Sequence, residues 1–124
     1  DFTAPAIGTE WKISVKPMEN TSVSINFEIP GNRIALHIGI HLHSQELELS
    51  SFKTRWAPLQ QVYELPDPSF NELFIIKVTL QRDGFKIRIG EDFIAFYYHQ
   101  LPYNITNIKY HGKCMIVMQE NGRV

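Results

Sequence analysis

Three imidazoles stand at alternate positions in the run His37-Ile38-Gly39-Ile40-His41-Leu42-His43. Alternate side chains of a β-strand share a face, so His37, Gly39, His41 and His43 are expected side by side. Imidazoles so placed suit two kinds of chemistry, hydrogen bonding to a polar ligand and metal ligation. A strand rise of about 3.4 Å per residue sets His37 roughly 14 Å from His41 along the chain, too far to share one ion. His41 and His43 are nearer, but Glu46 or Glu48 would have to join them from a neighbouring strand. Two imidazoles alone are an incomplete zinc set. The spacing therefore favours hydrogen bonding over a metal.

No catalytic constellation accompanies these residues. The sequence has no nucleophile motif, no phosphate-cradling glycine loop and no paired carboxylates in a recognisable setting. A non-enzymatic protein with no cofactor is expected. Asp67, Glu72, Asp83 and Glu91 fall at turns or strand ends, where solvated charges usually sit.

The elements that would position the imidazoles are strands. Trp11, Ile13 and Val15 alternate with Lys12, Ser14 and Lys16, and Val23, Ile25 and Phe27 alternate with Ser24 and Asn26. Leu73 to Leu80, Phe85 to Ile89 and Phe93 to Tyr97 repeat the period of two. Asp83-Gly84 reads as a hairpin turn, and Pro30-Gly31, Gly90 and Gly112 punctuate other runs. No segment keeps a helical period. Roughly ten short antiparallel strands in one domain predict an all-β, two-sheet sandwich or jelly roll.

Composition sets the outer bounds. The 124 residues are 44% hydrophobic and 20% charged, enough to build one core over residues 1–124. A net charge of -1 gives no electrostatic reason to expect nucleic acid or an anionic membrane as partner. No apolar run approaches the roughly 20 residues that span a bilayer, so membrane insertion is not expected. The start at Asp1 suggests a mature form or a domain excised from a longer chain. Cys114 is the only cysteine, so an internal disulfide is excluded, and its apolar neighbours read it as a small core residue. Asn20-Thr21-Ser22 and Asn104-Ile105-Thr106 fit the N-glycosylation pattern at expected turns, which points to a secreted or extracellular glycoprotein.

Three runs together resemble the galectin family: Phe70-Asn71-Glu72-Leu73-Phe74-Ile75-Ile76-Lys77-Val78, Asp83-Gly84-Phe85-Lys86-Ile87, and Phe93-Ile94-Ala95-Phe96-Tyr97-Tyr98-His99-Gln100-Leu101-Pro102. Gly8-Thr9, Ser24-Ile25-Asn26-Phe27 and Gly31-Asn32-Arg33-Ile34-Ala35-Leu36-His37 extend the likeness over nearly the whole chain. The resemblance implies a two-sheet antiparallel jelly roll that binds β-galactosides in a groove on one sheet. It implies glycans or glycoproteins as partners, and such domains can pair through edge strands into a homo-oligomer or occur in tandem.

Such a groove presents His, Asn and Arg at alternate positions of one strand, an Asn on the next, and then Trp, Glu and Arg. His37 and Trp56 match that pattern. Gly39 stands for the Asn and His41 for the Arg. Counting on from Trp56 puts Leu59 at the Glu and Gln61 at the Arg, while the second Asn falls near Ser50 or Ser51. Gly39 brings no side-chain donor or acceptor, and His41 lacks the two-pronged donor of Arg. Losing both members of an Arg–Glu pair is close to neutral, whereas losing one leaves an uncompensated charge. The site thus reads as rebuilt, with His37, Gly39, His41 and Trp56 at its core and Gln61 and His43 at its margin. Trp56 would stack on a sugar face or else be a packed core ring; Trp11 reads as structural. Gly39 would open the groove floor, and the imidazoles would make binding depend on pH between about 5.5 and 7. Two functions follow as expectations: a lectin with altered or weakened galactoside specificity, or a protein-interaction domain on the same fold that has stopped reading sugar.

Overall fold

A computed structural model describes residues 5–18, 22–56, 60–65, 73–90 and 93–121. Those residues form ten strands and no helix. They are β1 (Glu10–Pro17), β2 (Ser22–Ile29), β3 (Arg33–His41), β4 (Glu46–Phe52), β5 (Gln61–Glu64), β6 (Phe74–Leu80), β7 (Gly84–Ile89), β8 (Phe93–Tyr98), β9 (Asn107–His111) and β10 (Cys114–Asn121). Two five-stranded sheets result, ordered β10-β1-β6-β7-β8 and β5-β4-β3-β2-β9, with every pairing antiparallel. They are called here the β1 sheet and the β3 sheet. The expected all-β two-sheet sandwich is the observed fold.

Alternation in the sequence becomes two faces per sheet. Trp11, Ile13 and Val15 of β1 point inward to meet Val23, Ile25 and Phe27 of β2, all at most 1% exposed. Trp11 stands edge-on to Phe27 with ring centres 5.1 Å apart, and Phe27 reaches Phe85 at 6.0 Å. This contact joins β1, β2 and β7 across the sandwich, so Trp11 is a core residue. Its indole N–H donates to Glu120 on β10 at 3.0 Å, which satisfies its one polar atom.

Ser51 and Tyr97 make a second tie between the sheets. Both are completely buried, and their hydroxyls bond at 2.9 Å. Burial pushes the Tyr97 phenol above its ordinary pKa, and the Ser51 bond opposes that rise.

Turns set the registers. Pro30-Gly31-Asn32 joins β2 to β3, with Gly31 and Asn32 both at positive φ (87° and 56°). The β6–β7 hairpin exists as Asp83-Gly84 predicted, but by a different device. Gly84 is the first residue of β7 and has no positive φ. A Cβ on it would collide with the Tyr97 carbonyl and come within 2.7 Å of the Phe96 ring on β8. The glycine is required by close approach of a neighbouring strand.

Candidate functional site

The face of the β3 sheet turned away from the core carries polar residues in cross-strand rows. His41 lies between Ser22 of β2 and Glu46 of β4. Gly39 lies between Ser24 and Glu48, with His111 of β9 beyond Ser24 and Val62 of β5 beyond Glu48. His37 lies between Asn26 and Ser50, with Lys109 beyond Asn26. Five strands thus contribute to one surface.

Its imidazoles are held by named partners. His37 Nδ1 is 2.5 Å from the Asn26 side-chain oxygen. An amide oxygen only accepts, so Nδ1 carries the proton and Nε2 presents its lone pair. Burial holds the His37 pKa below its ordinary 6.5, with Glu48 opposing the shift and His41 and His111 adding to it. His37 is therefore neutral at pH 7 and offers an acceptor. His41 Nε2 donates to Glu48 Oε1 at 3.1 Å, and its Nδ1 shares a hydrogen bond of 2.8 Å with the Ser22 hydroxyl. Glu48 is also bound by the Gln60 side-chain amide at 2.7 Å. Ser22, His41, Glu48 and Gln60 form a continuous chain of hydrogen bonds.

Gly39 sits under this chain. A Cβ on it would lie 3.2 Å from both His37 Nε2 and His41 Nε2, and 3.5 Å from Glu48 Cβ. The two rings lean along the strand and converge over the glycine. Separation of the two residues along the chain therefore does not keep their ring nitrogens apart, contrary to the sequence argument against a shared ion. The space over Gly39 is filled by imidazole tips rather than left as an open floor. Among the described residues no group of three or more His, Cys, Asp or Glu is arranged to hold a metal ion.

Trp56 borders the rows at the His37 end, bridged to Phe52. Its ring stands edge-on to His37 at 4.9 Å and to Phe52 at 5.0 Å. It remains 49% exposed, so it is held in place on two sides and open on another. A buried Trp with no open face, the alternative reading, is not what the structure holds. Ser50 lies beside His37 in register, and its buried hydroxyl has no hydrogen-bond partner among the described residues. Ser51 points into the core, so Ser50 is the serine on the site face.

Two margin residues fall elsewhere. Gln61 pairs with Leu49, a core residue, and its own amide oxygen is buried. A step of one residue reverses the face in a strand, and Gln60 is the amide that reaches the site. His43 lies beyond the end of β3, exposed in the turn that leads to Gln45 at φ 56°. The alternation stops at His41, so His43 shares no face with it. Leu59 and Asn20 lie outside the described residues. Asn104 is half-buried just before β9, its side-chain oxygen enclosed.

Asn26, Glu48, Gln60, Ser22 and His111 are site-face residues that counting within the motif passed over. Asn26 and Ser22 alternate outward in β2, a visible signal; Glu48 and Gln60 depend on register. His99 is part of the scaffold. It stacks on Tyr103 at 4.4 Å, meets Phe85 edge-on at 4.9 Å and bonds the Gln81 carbonyl at 2.9 Å. Burial lowers its pKa, with that bond and Asp83 opposing. Cys114 packs half-buried against the core, and burial raises its thiol pKa.

A profile of the galactoside-binding lectin family matches residues 5–117. No curated protein sequence gives a significant match. Several solved structures share the fold. A galectin of Caenorhabditis elegans, LEC-6, is 14% identical, with 94% of this chain and 84% of that chain covered and a TM-score of 0.83. An ancestral congerin is 17% identical, with 96% of each chain covered and a TM-score of 0.85. Chicken galectin 2 is 16% identical, with 93% of this chain and 91% of that chain covered and a TM-score of 0.79.

Proposed function

Because the chain belongs to the galactoside-binding lectin family, we propose that it is a non-enzymatic glycan-binding domain whose specificity has moved away from ordinary β-galactosides. The observation that carries this reading is the half-open Trp56 ring fixed beside His37, whose neutral Nε2 is an acceptor. An aromatic platform next to a directed hydrogen-bonding group is what a sugar ring needs, one for its apolar face and one for a hydroxyl. Val62, 54% exposed and in register with Glu48, adds apolar surface at the far side.

Departure from galactoside reading is supported by what surrounds Gly39. A site that selects a hydroxyl does so through paired polar groups, and Gly39 supplies none. Lactose is expected to bind weakly or not at all, and another glycan class to bind through Trp56. Outside a cell, as a secreted glycoprotein carrying its own N-glycans, the domain would meet glycans directly. A glycan array probed with the wild type and with Trp56→Ala tests the reading. Signal confined to one glycan class and lost in the variant supports it.

The second reading is an interaction domain that no longer reads sugar. One observation favours it: Ser22, His41, Glu48 and Gln60 already satisfy one another. Silence of a folded wild type on the array would favour this reading.

A further inference from the structure

The outer face of the β1 sheet carries a ladder of cations. Lys12 of β1 is directly opposite Lys77 of β6, and Lys77 is directly opposite Arg88 of β7. Lys86, two residues before Arg88, lies in the next row, opposite Thr79. Each of the four stands between buried neighbours, so all four project away from the core. No carboxylate of the described residues forms an ion pair with any of them. Glu10, the acid in the Lys86 row, accepts the Thr79 hydroxyl at 3.5 Å and no other side chain among the described residues. Glu10, Lys77, Thr79, Lys86 and Arg88 line a depression of 240 Å³.

Like charges directly opposite one another destabilise a sheet. Lysines on an outer strand are a common defence against edge pairing, but β1, β6 and β7 are the three inner strands of this sheet. Edge protection does not explain the ladder. The whole chain has a net charge of -1, so the cations are a local concentration and not the reflection of a basic protein. Aromatic rings flank them on β8. Phe96 is opposite Lys86, and Tyr98, 60% exposed, packs edge-on to Phe96 at 4.8 Å.

We propose that this face is a second ligand surface, taking a sulfated glycan chain across Lys12, Lys77, Arg88 and Lys86 with Tyr98 as a platform for a sugar ring. Neighbouring strands lie about 4.8 Å apart, so the three-residue row spans roughly 10 Å, room for two charged groups of an extended polyanion. Cations supply the attraction and the exposed ring supplies apolar contact, a pairing matched to acidic sugars. Nucleic acid is the disfavoured ligand, because the overall charge lacks the basic excess that drives binding to a long phosphate backbone. The proposal does not rest on the Trp56 site, which lies on the other sheet.

The test uses a fluorescent heparin dodecasaccharide, the same chain desulfated, and a single-stranded DNA 12-mer, at about 0.15 M NaCl. The wild type is expected to bind the sulfated chain and to ignore the desulfated one. Lys77→Gln with Arg88→Gln should weaken binding about tenfold or more and flatten its salt dependence. Lys53→Gln, at an exposed cation just beyond β4 of the other sheet, should change nothing. The single variants Lys77→Gln and Arg88→Gln guard against misfolding, and each should keep or raise Tm by relieving repulsion. Three results overturn the proposal: no binding of the sulfated chain, equal binding after desulfation, or full affinity in the folded double variant. DNA bound as tightly as the sulfated chain would overturn the glycan assignment in favour of nucleic acid.

Discussion

The state of His37 is set by two neighbours and by burial. Asn26 fixes which ring nitrogen carries the proton, burial keeps the ring neutral, and Trp56 braces its edge. Acid should remove its function, since a protonated Nε2 donates and no longer accepts. Glycan binding through this ring is expected to fall as pH drops below 6.5 through the lowered folded-state pKa. Titrating affinity from pH 7.5 to 5 checks this; affinity that rises on acidification contradicts it. Gly39 is the other informative residue. Its added Cβ would crowd two imidazole tips, each 3.2 Å away, which would have to give by a few tenths of an ångström. Gly39→Ala is expected to fold with a loss of about 1 kcal/mol or less, while shifting both rings. The imidazole NMR signals of His37 and His41 should move together, and unmoved signals would refute their convergence over the glycine. The sequence showed His37, Gly39, His41 and Trp56 as candidates. Sequence spacing alone could not show that the rings converge, because it measures positions along the strand and not the tilt of side chains.

Strand register decides which other side chains join them. Period two was legible in the runs that became β1, β2, β6, β7 and β8, and with it the two-sheet architecture. Position within β5 was not legible. Gln61 and Gln60 are the same residue type one step apart, and only pairing with β4 shows that Gln60 reaches Glu48 while Gln61 faces the core side. Gln60→Ala should therefore perturb the Glu48–His41 pair, whereas Gln61→Ala should act on stability alone. Gly84 makes a parallel point at the β6–β7 hairpin. Asp83-Gly84 located the turn, but the glycine answers to Tyr97 and Phe96 on the adjacent strand. Gly84→Ala is expected to cost about 1–3 kcal/mol through overpacking. Chemical denaturation measures this, and a loss near zero would show that the strands part without cost.

Across the whole molecule, protonation couples to folding through His37 and His99. Both have folded-state pKa values below the unfolded 6.5, because partial burial strips water from each ring. A neutral form favoured in the folded state means that the unfolded chain binds protons first as pH falls. Their contribution to stability is complete above pH 6.5 and declines as pH passes down through the lowered values. Tm is expected to drop between pH 7.5 and 5, with a shallower slope in His99→Gln; a flat profile would contradict the coupling. The two sheets carry different outer surfaces, with the His37 ring and an open indole on one and a cation ladder on the other. Glycan binding is proposed for the first of these surfaces. Parallel titration of lactose and of the strongest array glycan into wild type and Trp56→Ala tests it most directly. Wild-type affinity for the array glycan well above that for lactose, with the difference abolished in the variant, is the predicted result. Ordinary lactose affinity in the wild type, or binding indifferent to the loss of Trp56, would contradict it.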